Sequence, residues 1–359
     1  MVIEQYTITN KYNFPQPNID TALPQHFLEQ SLYSLRQVQH QELQLNHQTL
    51  QPFSVAEQYP SSLQLKPEPI QIKPDRQETL IAAIDTSTIK IGETVTGIIV
   101  AVRGAITWRQ NITYKYTRLG PFIFHITEDN KNFVFNTLEH AYFSTTYGSM
   151  HQSAPNIMQM PTRLASLLER WMQTQVARTL KNGVILFDGS LTSGTVDTPT
   201  QRLREILNQA RKNSSIVLAF SKATTLRANG ILITENLPNY EPPYLLETTG
   251  LHFRPPTTLL GAVYVARLNK ANFAFRLDID KEASETQRIG AVQKLLGNDL
   301  YKQSYPETLR LSHILCTFTA NEVLAIKHFI TRTHGIQIIN RPDMHRLLFG
   351  PFGKGEIYS

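Results

Sequence analysis

Cysteine is almost missing from this sequence: Cys316 is the one thiol in 359 residues. That excludes an intramolecular disulfide framework and a multi-cysteine zinc site. Its apolar neighbours read Cys316 as a core residue. Long hydrophobic runs are missing too, and no stretch approaches the roughly 18–20 apolar residues that cross a bilayer as a helix. Met1-Val2-Ile3-Glu4-Gln5 carries neither the basic nor the apolar region of a signal peptide. No membrane association and a cytoplasmic location are therefore expected. Neither G-x-x-x-x-G-K-S/T nor a strand-linked G-x-G-x-x-G occurs, and Gly350-Pro351-Phe352-Gly353-Lys354-Gly355 opens no helix, so the chain is not expected to hydrolyse ATP itself. G-x-S-x-G is absent, which argues against a hydrolase nucleophile elbow. A strong excess of one charge is lacking as well: 35 Lys and Arg stand against 29 Asp and Glu, a net +6. That balance is compatible with a polyanionic partner without requiring one.

What is present is enough apolar residue, 41%, for a soluble globular core, and two stretches of the same form. Ile81-Ala82-Ala83-Ile84 runs into Asp85-Thr86-Ser87, and Val184-Ile185-Leu186-Phe187 runs into Asp188-Gly189-Ser190-Leu191. Short unbroken apolar runs read as buried strands. An unpaired buried carboxylate is costly, so each acid is expected at the exit of its strand, with the two meeting at one place in a sheet.

Residues 1–77 form an N-terminal arm and linker, with a polar helix expected over Phe27–Gln51 and an extended, proline-marked linker over Pro60–Pro74. The arm reads either as loosely packed or as an ordered dimer or partner contact. Strands are expected at Leu80–Ile84, at Gly97–Thr107 and from Ile112 on, as an antiparallel meander, with further β-structure at Phe122–Ile126 and Phe133–Phe135. Helix then strand alternate: Pro161–Leu180, the Asp188 strand, Pro199–Lys212, and Ser215–Phe220. Residues 228–256, with five prolines, read as an irregular insertion. A hairpin over Leu259–Leu268 and Phe273–Ile279 and helices at Ser284–Leu296, Glu307–Thr317 and from Thr319 to Gly335 complete the pattern, the last opened by a Thr319-x-x-Glu322 capping box. The expected class is α/β, a mixed sheet flanked by helices. The main domain spans 78–340 and a tail covers 341–359.

Two aspartates at adjacent strand ends suit hydrolysis of a phosphodiester by paired divalent cations, which carboxylates bridge. Either could instead be a turn residue. Glu169, on the helix before the Asp188 strand, is the third candidate acid, and Glu139 in Leu138-Glu139-His140 competes for that role. His313 can ligate, orient water or move a proton, or be a hydrogen-bonded core histidine. Lys222, ending the Ser215–Phe220 strand, can hold a phosphate if that strand runs parallel to the Asp188 strand. Oxygen donors suit Mg²⁺ or Mn²⁺, and a histidine tips the preference to Mn²⁺.

In their order and spacing these residues resemble the NurA nuclease family, with its RNase H-like core. The resemblance rests on Ile84-Asp85-Thr86-Ser87, Glu169, Leu186-Phe187-Asp188-Gly189-Ser190-Leu191, Phe220-Ser221-Lys222, Tyr305 and His313, and covers about residues 78–340. It implies a Mn²⁺- or Mg²⁺-dependent nuclease with two ions, acting on DNA ends as a homodimer with a HerA-type hexameric ATPase that translocates DNA. It also implies Asp85, Glu169 and Asp188 as metal ligands, His313 completing the metal site and Tyr305 lining it. The rival reading is a non-catalytic DNA-binding or scaffold subunit of a translocase complex. An RNase H-like RNA nuclease would differ only in substrate.

Overall fold

The computed structural model describes residues 3–7, 22–38, 42–44, 63–143, 154–195, 197–235 and 237–339. The expected tail over 341–359 and residues 39–41 and 45–51 of the expected N-terminal helix lie outside them.

Strands β1 (Ile81–Glu93), β2 (Gly97–Gln110) and β3 (Thr113–Thr127) form the antiparallel meander. Asn111, in the left-handed region at φ 56°, closes the turn between β2 and β3. Strand β4 (Val184–Asp188) lies parallel to β1, and β5 (Ile216–Ser221) parallel to β4. Parallel neighbours need a crossover, and a helix between β4 and β5 supplies it. The sheet order β3-β2-β1-β4-β5, with those polarities, is RNase H-like. Three further strands, β6 (Tyr244–Thr249), β7 (Gly261–Arg267) and β8 (Phe275–Asp280), extend it antiparallel in the order β5-β8-β7-β6.

Seven helices are described: α1 (Ala22–Arg36), α2 (Lys131–Phe143), α3 (Met160–Thr179), α4 (Thr200–Lys212), α5 (Glu285–Asn298), α6 (Glu307–Cys316) and α7 (Ala320–His334). The period-2 alternation of strands sends successive side chains to opposite faces, and both faces are covered. Ala82, Ile84, Ile185 and Phe187 share one core with Phe27 of α1, Val134 of α2, Leu168 of α3 and Leu203 of α4. Ile81, Ala83, Val184 and Leu186 share another with Val292 of α5 and Leu309 of α6. Burial on both faces explains why β1 and β4 begin as unbroken apolar runs. Arg103 of β2 and Arg118 of β3 both reach Glu322 of α7, at 2.8 and 3.1 Å, which ties α7 to the meander.

Five expectations are corrected. Asp85 is not at the exit of its strand, because β1 continues to Glu93. Only the neighbouring β4 stops there, so among the described residues β1 has no strand beside it on that flank from Asp85 until Gln44 pairs with Glu93. Phe133–Phe135 is helical, in α2, since Val134, Phe135 and Leu138 bury one stripe at helical spacing. The N-terminal helix is Ala22–Arg36 rather than Phe27–Gln51, and Glu42–Gln44 is a short strand. Leu23 and Phe27 insert into the core, so α1 is packed against the sheet on that face. The proline-marked linker supplies two short edge pairings, Gln64–Leu65 and Ile70–Gln71, on β6. Residues 228–256 are not irregular throughout, because they contain β6, whose Tyr244, Leu245 and Leu246 are fully buried.

Candidate active site

The register of β1 and β4 pairs Ile84 with Phe187, and the next residue along each strand is Asp85 and Asp188. Neighbouring strands lie about 4.8 Å apart, so these two acids emerge side by side. Parity settles their direction. Asp85 follows Ile81 and Ala83, and Asp188 follows Val184 and Leu186, all on the α6 side of the sheet. There α6 answers with His313, whose Nδ1 is 2.7 Å from Asp85 Oδ2, and the strand before α6 brings the Tyr305 hydroxyl 3.5 Å from Asp188 Oδ1. Thr86 has the opposite parity and faces α3. On that side lies Glu169, whose carboxyl is raised by the charges of both aspartates.

Glu139, on α2, lies in a different pocket with Phe135, Arg163, Arg170 and Asp197. Burial pushes Glu169 up to about 7; Arg170 and Thr86 pull it down, while Asp85 and Asp188 add to the rise. Gln173, one turn on, donates Nε2 to its Oε1 at 2.8 Å. Asp188 is raised for the same first reason, burial, and next by Asp85, against Lys222 and His313. Lys222 stands where parallel pairing would put it: Phe220 opposes Asp188, and Lys222 Nζ reaches Asp188 Oδ2 at 2.6 Å while its side chain stays 40% exposed. Burial, then the two aspartates, drive the Tyr305 phenol up, so it remains a neutral donor.

The turn after Asp188 is anchored from several sides. Gly189 adopts φ +103°, a conformation that a Cβ strains. Its N–H donates to Phe220 O at 2.8 Å, and Ser221 Oγ donates to Gly189 O at 2.8 Å. Leu191 N–H donates to Asp278 Oδ2 at 3.0 Å, and Asp278 is itself gripped by Arg276. The sequence reading missed Asp278 and Arg276. Their signal was charge at every second position of an otherwise apolar strand, Arg276-Leu277-Asp278-Ile279-Asp280.

Three carboxylates and an imidazole make a donor set of mostly hard oxygen with one nitrogen, which fits Mg²⁺ or Mn²⁺. A partly buried acid held up near 7 by desolvation and by two acidic neighbours is what a nearby cation would relieve. Among the described residues, the donors that all lie within 4.8 Å of one another are those of Asp85, His313 and Cys316. Cys316 is buried, as its apolar context implied, yet it also borders the site.

No family model and no curated protein matches the chain. Among solved structures, the NurA nuclease from Sulfolobus solfataricus aligns over 75% of this chain and 88% of its own, at 14% identity and TM-score 0.47. An endonuclease V from Bacillus subtilis aligns over 75% and 89%, at 11% identity and TM-score 0.30. The C-terminal lobe of a budding yeast Argonaute aligns over 70% and 49%, at 12% identity and TM-score 0.28. At such values, what the site can do is read from its own side chains. Among the described residues, no helix is long and apolar enough to cross a membrane.

Proposed function

We propose that the chain is a divalent-metal-dependent nuclease of the NurA type that hydrolyses phosphodiester bonds in DNA. What supports this reading is that Asp85 and Asp188 leave neighbouring parallel strands side by side, with His313 against the first and Lys222 against the second. Glu169 and Asp188 are both raised by burial and by the charge of Asp85, and acids perturbed in this way cluster at functional sites.

Asp85, Glu169 and Asp188 would hold Mn²⁺ or Mg²⁺, two ions in this reading, with His313 completing the set. When bound, such ions supply Lewis acidity, making water more acidic and stabilising a departing 3′ oxygen. The chain's own groups do the rest. His313 fixes the Asp85 carboxylate through Oδ2, and Tyr305 donates toward Asp188 Oδ1. Glu169, raised to about 7 in the metal-free site, would give up its proton on binding an ion. Lys222 can swing from Asp188 Oδ2 onto a phosphate oxygen, a contact blind to base sequence and weakened by salt. DNA ends as substrate, a homodimer and docking on a HerA-type hexameric translocase belong to the same proposal, as does a cytoplasmic location.

The test is digestion of end-labelled DNA by the purified chain with and without Mn²⁺, beside Asp188→Asn. Metal-dependent degradation lost in the variant is expected; equal degradation by both proteins overturns the reading. An RNA–DNA hybrid in parallel reports whether the substrate is DNA alone.

One observation favours a second reading. Asp188 is paired with Lys222 and Asp85 with His313, so both acids have internal partners. A non-catalytic scaffold subunit would use them that way. Mn²⁺ calorimetry separates the two, since a scaffold binds no Mn²⁺ in a manner that Asp85→Asn removes.

A further inference from the structure

Cys316 adds a soft donor to a site otherwise made of hard ones. His313 and Cys316 are three apart on α6 and share a face, and α6 lies over β1 at Asp85. The Cys316 side chain is fully buried and its Sγ donates to His313 O at 3.2 Å. Nδ1 of His313, a carboxylate oxygen of Asp85 and Sγ of Cys316 gather within 4.8 Å.

We propose that Asp85, His313 and Cys316 form a Zn²⁺ site, a second way for this cleft to bind metal that competes with the carboxylate arrangement. Zn²⁺ takes sulfur at about 2.3 Å and nitrogen or oxygen at about 2.0–2.2 Å in a tetrahedron, so its donors stand roughly 3.3–3.8 Å apart. The 2.7 Å contact between His313 and Asp85 must open, and the longer separations must close, by an ångström or so. Side-chain torsions on one helix and one strand can provide that. On binding, Cys316 gives up its thiol proton to solvent and coordinates as thiolate. Asp85 coordinates through a carboxylate oxygen and His313 as neutral imidazole, the forms in which these side chains bind a metal. The two negative donors balance the cation. His313 is 49% exposed, which leaves a fourth position open to water.

Softness sets the selectivity. Thiolate and imidazole favour Zn²⁺ over Mn²⁺, and Zn²⁺ binds mixed N, O and S sites more tightly in any case. With Asp85 committed to Zn²⁺, the set of Asp85, Glu169 and Asp188 is incomplete. Zn²⁺ therefore acts as an inhibitor of the Mn²⁺-supported reaction. The binding itself does not depend on the nuclease reading, and only the inhibition rests on it.

The single cysteine makes the test unambiguous. Titrating the full chain with CoCl₂ should give a near-ultraviolet thiolate-to-cobalt band that saturates at one equivalent, disappears on adding ZnCl₂ and is absent from Cys316→Ser. Zinc affinity by competition should fall more than about 100-fold in Cys316→Ser, beyond the 10–100-fold typical of losing an outer-shell partner. Asp85→Asn should weaken the band, which guards against a fold defect in the cysteine variant. Absence of the band in folded wild-type protein, or unchanged zinc affinity in Cys316→Ser, overturns the proposal. A band that appears in a protein with no nuclease activity under any metal upholds the zinc site and overturns the nuclease reading instead.

Discussion

His313 Nδ1 stands 2.7 Å from Asp85 Oδ2, joining a helix near the end of the chain to the first strand of the RNase H-like core across 228 residues. Both oxygens of Asp85 are thereby engaged, since Oδ1 accepts from Thr86 N–H at 2.7 Å. The contact also leaves Nε2 of a half-exposed ring free to face a ligand or substrate. His313→Asn should keep the fold, because 49% of the side chain is already in water. It should lower Mn²⁺ affinity and metal-supported cleavage roughly 10–100-fold, the scale for a group that orients a ligand. Loss of less than twofold in both, by calorimetry and single-turnover digestion, would put His313 outside the site.

Asp188→Asn should separate stability from activity. Burial and the negative charge of Asp85 both oppose ionisation of Asp188. Replacing its carboxylate by the isosteric amide removes that penalty, at the expense of the Lys222 pair, which is exposed and contributes little. Metal-free Asp188→Asn is therefore expected to unfold at a denaturant midpoint equal to or above wild type. Its cleavage rate should drop by more than about 100-fold, as when one charge-stabilising group is removed from a hydrolytic site. A large fall in midpoint would mean that Asp188 serves the fold.

Glu169 predicts a pH signature in metal-free protein. Its folded value, about 7, lies above the ordinary 4.5, so the folded state holds that proton more tightly than the unfolded chain does. Its effect on stability is therefore neutral below about 4.5 and becomes a growing penalty as pH rises toward 7, levelling off above. The penalty is at most about 3 kcal/mol, and less to the extent that the side chain keeps contact with water. Denaturation in chelator from pH 4.5 to 8 should show Glu169→Gln matching wild type at the acid end and exceeding it at pH 8. Parallel curves would show that the surroundings of Glu169 do not hold its proton.

Lys222 has two partners to choose between, Asp188 Oδ2 and a phosphate. If the phosphate contact forms, Lys222→Met should weaken DNA binding at every sequence and reduce the slope of log affinity against log salt by about 1. A slope unchanged across 50–200 mM salt would confine Lys222 to its pair with Asp188.

The parts of this fold that were legible share a physical cause. Val184–Phe187 and Ile216–Phe220 are covered on both faces, so burial wrote itself into them as uninterrupted apolar runs. Thr319 and Glu322 close a reciprocal cap that is local and hence readable. Phe133-Val134-Phe135 misled because three strand-favouring side chains sit together. Their helix is decided by the contacts of Val134, Phe135 and Leu138 with the core, which local preference does not report. Strand β6 was hidden among prolines. Glu169 was the candidate third acid with Glu139 as its competitor, and no local pattern reports what α3 packs against or that Glu169 feels the charges of Asp85 and Asp188. Cys316 was read for its apolar neighbours, and its nearness to Asp85 is a tertiary fact.

Arg276 and Asp278 provide the last prediction. They occupy alternate positions of β8, on one face. Arg276 grips the carboxylate through Nε to Oδ1 at 2.8 Å and Nη2 to Oδ2 at 2.9 Å, and both side chains are at most 2% exposed. Asp278 Oδ2 also accepts from Leu191 N–H, three residues beyond Asp188. A Cβ at Gly261 would come within 2.8 Å of the Asp278 Cβ, so the carboxylate is wedged between strand and turn. Breaking such a pair leaves a buried charge without its partner, which costs about 3–5 kcal/mol. Asp278→Ala should therefore lower the unfolding free energy by that amount and loosen the turn that carries Asp188, lowering the cleavage rate further than Mn²⁺ affinity. Removing both charges, as Arg276→Met with Asp278→Leu, should be less destabilising than Asp278→Ala alone, because no orphan guanidinium remains. If equilibrium unfolding finds the double variant as unstable as the sum of its singles, the pair contributes no coupling, and the turn after Asp188 is held by Gly189, Ser221 and Phe220 instead.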